Sequence, residues 1–582
     1  MAKRQTHQTS SKPAGGTSQA KSAYNYQEFI ARHDTKALAA FIIVLVIFIV
    51  SIFKNIGYPL FWADESMTAM GTERVLEYGY PKVYDGKNVF YDLRHSDPAL
   101  GINPKDDAYI GGTGWGHYYY GVVGYKLAEL TDDIYLKTAV YRSTYAALGI
   151  LGLVAFALII SRFFKDRFTR YSLLTLFFLL ELLSVSLALL LKEVRYYSLT
   201  IFLSSVIIAL YCTYRFQRSF NKVAFIVSAI VLLWLLYFTF APVYFIMIAS
   251  IGLSELIISG YNYSSLGLKA DFHKALPSVI IVAASLLSIF PLLGYFRTFE
   301  ISRAMNEFNG YNDEMYWSNV TTIINYFKNF ELLWLAVILK IFILLSMKTL
   351  LKGKHPAFLT ANFMLLVLVV SLFSLARIPN FIYTRYIIWL QPILCMMIIL
   401  DLFVLVGMYS RDSKSLLSSK MLFPLAVSGL AMLLYVGGNA EYIAGRVYEL
   451  NHPYKGPLDY TIPYIKAKFL KTDSLVIAAN YEETSYMYYL GSKVVVGYTG
   501  NNLKADSASR PDIIAYRKPW GNYQDIFNGF TQRELYEPVK FPVKDNPVNN
   551  IPELNFMPVF NHQFETVQSD NDGDAAYLYI RK

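Results

Sequence analysis

Cysteine is almost absent from this chain: there are two, Cys212 and Cys395, in 582 residues. Both fall inside apolar runs, so neither an external disulfide framework nor a zinc site is supported. Charge is also scarce. Asp, Glu, Lys and Arg make up 16% of the chain against 54% hydrophobic residues, less charge than a soluble protein of this length carries. No His, Cys or acidic residues recur at metal-ligand spacing, and no tandem repeat of useful period occurs. The net charge of +10 does not indicate a nucleic-acid partner, because Lys and Arg gather in short loops between apolar runs.

What is abundant is long apolar sequence. Mean hydropathy is +0.33, and many separate runs approach the roughly 20 residues that a membrane-crossing helix needs. They lie at about 37–54, 139–161, 171–191, 196–214, 223–239, 243–260, 275–296, 331–347, 357–376, 386–409 and 421–438. The expected fold is a polytopic α-helical membrane protein with about 11 transmembrane helices. The first run is longer than a signal-peptide core and no small-residue cleavage site follows it, so it reads as an uncleaved helix. The connectors SRFFKDRFTR, YRFQRSFNK, LKADFHK, MKTLLKGK and SRDSKSLLSSK are basic and alternate along the chain. That pattern places them, and the N-terminus, on the cytoplasmic side of the cell inner (plasma) membrane. Residues 1–36 are expected to form a disordered tail. The first external loop, 55–138, and a C-terminal region, 440–582, then lie outside the cytoplasm. The C-terminal region mixes DSLVIAANY, YMYYLGSKVVVGYTG and AAYLYIRK, which predicts an extracytoplasmic α/β domain.

Polar residues converge at the outer ends of the runs. Asp64 and Glu65, in FWADESMTAM, stand where the chain leaves the first span. An acidic pair here suits the first turn of a helix ESMTAMGTERVLEY, with Asp64 as its cap and the helix lying on the outer membrane surface. His117 lies late in the same loop. Arg142 opens the second span, Glu193, Arg195 and Tyr196 the fourth, and Arg385 the tenth. Each has a plain reading: arginines snorkel to head groups, Glu193 pairs with Lys192 or Arg195, and tyrosines belong to the interfacial belt. Jointly they mark an outward-facing site of acids and arginines at lipid depth, suited to an anionic lipid head group. Glu181 and Lys340 are the main charges within the spans. They either pair or pack inside the bundle.

The stretch WADESMTAMGTERVLEYGYP resembles the first-loop acidic motif of the GT-C superfamily of membrane glycosyltransferases, and within it the protein O-mannosyltransferases and the lipid A aminoarabinose transferase group. GHYYYGVVGYKLAEL followed by YRSTYAALG is similar to that family's aromatic segment and second span, although its usual His-Pro-Pro is here His117 followed by Tyr118, Tyr119 and Tyr120. KEVRYYSLTIFLSS and YTRYIIWLQPIL resemble its Glu-x-Arg-Tyr-Tyr and late Arg-Tyr motifs. The resemblance spans about residues 37–410. It implies a polyprenyl-phosphate sugar donor, an acceptor that is a lipid, a polysaccharide or a protein, transfer outside the cytoplasm with inversion, and Asp64 as the catalytic carboxylate with Glu65 beside it. It also implies that no metal or cofactor is required, although a divalent cation on Asp64 and Glu65 is chemically open. The residues expected against donor phosphate and substrate are Arg142, Glu193, Arg195, Tyr196, Arg385 and His117. Burial at a partly dry interface is expected to push the Asp64 carboxyl upward. The competing readings are a lipid or polysaccharide transporter and a membrane sensor with an external ligand-binding domain.

Overall fold

The computed structural model describes residues 18–90, 101–111, 114–217, 221–266, 272–345, 356–378, 382–411, 419–496, 510–518, 535–546 and 562–582. The connector MKTLLKGK and most of SRDSKSLLSSK lie outside them. Helices occupy every position where an apolar run was expected. Among the described residues, eight are long and apolar enough to cross a membrane, and Leu333–Leu345 and Leu425–Gly438 are shorter apolar helices.

Helix α1 runs Ser18–Phe53, so residues 18–36 are helical where a disordered tail was expected. The apolar run from 37 onward supplies the nucleus, and SQAKSAYNYQEFIARHDTK contains no Pro or Gly to stop the helix extending backwards. The run 171–191 is not one span. Helix α5 (Arg167–Leu183) ends at Ser184, which is extended, and α6 (Val185–Leu190) follows. Ser184 caps α6 by accepting from the Leu187 amide at 3.3 Å, and donates to Glu331 at 2.8 Å. Lys340 does not pair with Glu181. Its ammonium lies 2.9 Å from Asp401 and 3.4 Å from Asn362. Glu181 lies instead beside Glu331, Gln391 and Cys395. Sequence alone could not choose between Asp401 and Glu181, because both are isolated acids in apolar helices.

The described residues between the first two spans form α2 (Ala63–Tyr78), a short hairpin of β1 (Ile102–Asn103) and β2 (Ala108–Tyr109), and α3 (Gly116–Ala128). Helix α2 is packed into the protein: Glu65, Ser66, Thr68, Ala69, Met70, Gly71, Thr72, Arg74 and Val75 are all buried. It packs on α3 so closely that a Cβ at Gly71 would meet the Tyr118 ring at 2.5 Å. Helix α4 (Ile134–Ser161) then packs along α7 (Tyr197–Phe216).

The C-terminal region begins with helices Ala440–Asn451 and Leu458–Lys468. A five-stranded mixed sheet follows, in the order β4-β3-β5-β7-β6. Strands β3 (Val476–Ala479), β4 (Lys493–Val496) and β5 (Ile513–Ala515) are parallel. Strands β6 (Tyr536–Lys544) and β7 (Ala575–Arg581) complete it antiparallel. Helix Glu483–Leu490 crosses between β3 and β4 and packs against α2.

Candidate active site

Trp62, and not Asp64, is the N-cap of α2, and it makes no side-chain cap. Asp64 and Glu65 are therefore both in the first turn. Consecutive helical residues point about 100° apart, and the two carboxylates go to different partners.

Glu65 turns inward. It is fully buried and receives two parallel hydrogen bonds from Arg142, Nε to Oε1 at 2.8 Å and Nη2 to Oε2 at 2.5 Å. The Val194 amide donates to the same carboxylate at 3.1 Å. Arg142 Nη1 donates to the carbonyls of Ile56 and Pro59, at 3.0 and 2.7 Å. This pair clamps the end of the first span to the α6–α7 turn. Both side chains are buried in this pair, where the sequence suggested Arg142 against donor phosphate and Glu65 beside the catalytic carboxylate. Glu193, fully buried in the same turn, lies near enough to Arg142 to act on it electrostatically. Lys192 approaches Glu449, at 3.9 Å, and Arg195 approaches Asp64.

Asp64 turns outward and its side chain keeps 23% exposure. Arg385 Nη1 donates to Asp64 Oδ2 at 2.6 Å. Arg195 Nη2 lies 3.6 Å from the same oxygen, while its Nη1 reaches the Asp64 carbonyl at 3.1 Å and Thr68 Oγ1 at 3.2 Å. Burial pushes the Asp64 carboxyl up, but Arg385 and Arg195 more than offset this and hold it below the usual carboxylate range. The net shift is opposite to the one expected from desolvation alone. The sequence could not show two guanidiniums on one carboxylate.

Aromatic rings frame the arginines. The Arg385 guanidinium lies over Tyr383 at 4.3 Å, Tyr386 at 5.6 Å and Trp62 at 5.8 Å. Tyr196 is buried, and the Arg195 guanidinium lies 5.8 Å from its ring. Among the described residues, the hydroxyls of Tyr118, Tyr196 and Tyr197 and the indole nitrogen of Trp62 are buried without a hydrogen-bond partner. All three tyrosines are near enough to Arg195 to be influenced by its charge. Buried polar groups normally find partners, so these are groups that a polar ligand can satisfy. His117 is fully buried against Tyr118, with centroids 3.9 Å apart, and against Tyr196 at 6.1 Å. Burial and Arg195 hold the imidazole well below its usual range, against a backbone contact from Gly114.

Trp62, Thr68, Tyr118, Tyr197, Tyr383 and Tyr386 were not among the site residues expected from sequence. Tyr197 and Tyr386 sit beside arginines that were, and that adjacency was the available signal. Among the described residues, no group of three or more His, Cys, Asp and Glu side chains is placed to hold a metal.

In fold, the chain is a polytopic helical membrane protein of the GT-C type with a C-terminal α/β region. Among solved structures, the chain is similar to ArnT from Cupriavidus metallidurans bound to undecaprenyl phosphate, at TM-score 0.50 and 11% identity. That match covers 94% of this chain and 98% of that one. The apo state of the same ArnT (TM-score 0.48, 13% identity, 84% of this chain and 94% of that one) is also similar. So is an Archaeoglobus fulgidus oligosaccharyltransferase tethered with an acceptor peptide (TM-score 0.42, 12% identity, 86% and 69%). The fold assignment rests on the first of these. No family model matches the chain, and no curated protein does.

Proposed function

We propose that this protein is an inverting glycosyltransferase of the extracytoplasmic face of the inner membrane, moving a sugar from a polyprenyl-phosphate donor to an acceptor hydroxyl. The observation that carries this reading is the single carboxylate, Asp64, held by Arg385 and Arg195 where apolar helices end. The GT-C fold supports it, as does the undecaprenyl phosphate bound by the similar ArnT.

The chemistry follows from the charges. The acceptor oxygen attacks the anomeric carbon from the face opposite the phosphate. The new C–O bond forms as the bond to the phosphate oxygen breaks, the polyprenyl phosphate leaves with the electron pair, and the acceptor proton passes to Asp64. A phosphate leaving group needs no general acid. It needs positive charge, preorganised where negative charge develops. Arg385 and Arg195 supply that charge. Before donor binds, the same arginines make Asp64 a weak base. A donor phosphate competes for them, and each guanidinium it draws away returns basicity to the carboxylate. Base strength is then greatest when donor is in place, which disfavours unproductive proton uptake in the free protein.

No divalent cation is needed in this scheme, because the arginines do the work a metal does elsewhere. Donor turnover by purified protein, with Asp64→Asn as comparison, tests the reading. Unchanged turnover in that variant, or a product with retained anomeric configuration, overturns it.

A further inference from the structure

We propose that the C-terminal α/β domain is part of the active site: its Thr484 and Ser485 fix the chain on both sides of Asp64 and so position the carboxylate. This rests on the role given to Asp64 above.

The contacts concentrate on residues 60–66. Ser485 Oγ lies 2.7 Å from the Phe61 carbonyl, to which it donates, and 2.9 Å from Ser66 Oγ. Thr484 Oγ1 shares a 2.7 Å hydrogen bond with Ser66 Oγ and donates to the Ala63 carbonyl at 3.2 Å. Tyr489 Oη accepts from the Phe61 amide at 3.0 Å and shares a 2.6 Å bond with Thr138 on α4. Asp459 accepts from the Leu60 amide at 3.2 Å. Ser66, Thr484 and Ser485 are buried. Helix α2 has no side-chain cap of its own, and these hydroxyls hold the backbone on both sides of its first turn.

The turn that carries these hydroxyls is itself held. Glu482, just before helix Glu483–Leu490, has φ of 58°, the left-handed region that a residue with a Cβ occupies only under constraint. The buried Arg517 pairs with both Glu482 and Asp545, tying that turn to the sheet. General adhesion between the two regions is present elsewhere and is separable. Lys87 Nζ donates to the carbonyls of Asp473 and Gly491, at 2.9 and 2.7 Å, away from Asp64.

A misplacement of about 1 Å in a reacting group costs on the order of 100-fold in rate. In the full-length protein, Ser485→Ala and Thr484→Val are therefore expected to lower kcat by roughly 10- to 100-fold while leaving donor KM nearly unchanged. Thr484→Ser, which restores the hydroxyl, recovers turnover. Hydrogen exchange of the amides of residues 62–67 rises in Ser485→Ala and Thr484→Val. Lys87→Met, which loosens the same domain elsewhere, changes neither kcat nor that exchange. Equal loss of kcat in Lys87→Met, or unchanged kcat and exchange in Ser485→Ala and Thr484→Val, overturns the proposal. If the wild-type protein transfers no sugar, the function proposed above fails, and the exchange comparison alone still decides whether the domain positions Asp64.

Discussion

Arg385 and Asp64 are 321 positions apart in the chain and 2.6 Å apart in space. Their contact joins the first external loop to the start of a late apolar helix. It places the partly exposed carboxylate of the acidic pair where apolar helices end. The consequences are open to measurement.

Asp64→Asn keeps the shape of the side chain but cannot take up a proton. Loss of a general base typically costs about 100- to 10,000-fold in rate. Turnover in a transfer assay is expected to fall by that factor while donor binding persists. The N-cap is Trp62, so no loss of helix capping confuses the result. Near-wild-type turnover would remove Asp64 from catalysis.

Glu65→Gln acts on folding. It leaves the buried Arg142 charge facing a neutral amide, and breaking a buried ion pair by removing one partner costs about 3–5 kcal/mol. The expected outcome is a lower midpoint of thermal unfolding in detergent and poor yield, with any surviving folded protein still turning over. A stable variant without turnover would instead place Glu65 in the chemistry.

Arg385→Lys conserves charge but loses the planar fork that holds a phosphate through two hydrogen bonds. Charged hydrogen bonds contribute about 1.5–3 kcal/mol each, so donor affinity is expected to fall at least about tenfold. Equilibrium binding of a polyprenyl phosphate to the purified variant checks this. Unchanged affinity would reduce Arg385 to an interfacial anchor.

The pH profiles carry a sign. In the free protein the Asp64 carboxyl is held below its usual range, so it stays ionised to lower pH than an unpaired carboxyl, and the acid limb of kcat/KM should lie below that range. The pairing with Arg385 likewise contributes stability above the unfolded carboxyl value and loses it as pH falls through the depressed one. With donor bound, the phosphate takes the arginines, and the acid limb of kcat should sit at higher pH than that of kcat/KM. Coincident limbs would show that donor does not draw the arginines away from Asp64.

Sidedness is testable against a low background, since Cys212 and Cys395 are buried. In intact cells a cysteine at exposed Lys165 should resist an impermeant thiol reagent, and one at exposed Leu470 should react. The reverse pattern would place the Asp64 site on the cytoplasmic face.

Hydropathy and charge fixed the class of molecule before any coordinates. Apolar runs of bilayer length leave a helical bundle as the stable solution, because backbone polar groups in lipid must be satisfied within the segment. Position along the chain also brought Asp64, Arg195 and Arg385 to one level, since each lies where a run begins or ends. What the sequence could not settle was pairing. Asp64 and Glu65 are neighbours with the same chemistry, yet one holds Arg142 in the interior and the other meets Arg385 and Arg195 at the surface. That division depends on how α2 is rotated about its axis, and a turn of about 100° would exchange their roles. The rotation is set by the close packing of Gly71 on Tyr118 and by hydroxyls of a domain more than 400 residues further on. Such contacts leave no periodicity in the chain. Local sequence determines which residues reach the outer end of the bundle, and only tertiary packing decides which carboxylate faces the arginines that tune it.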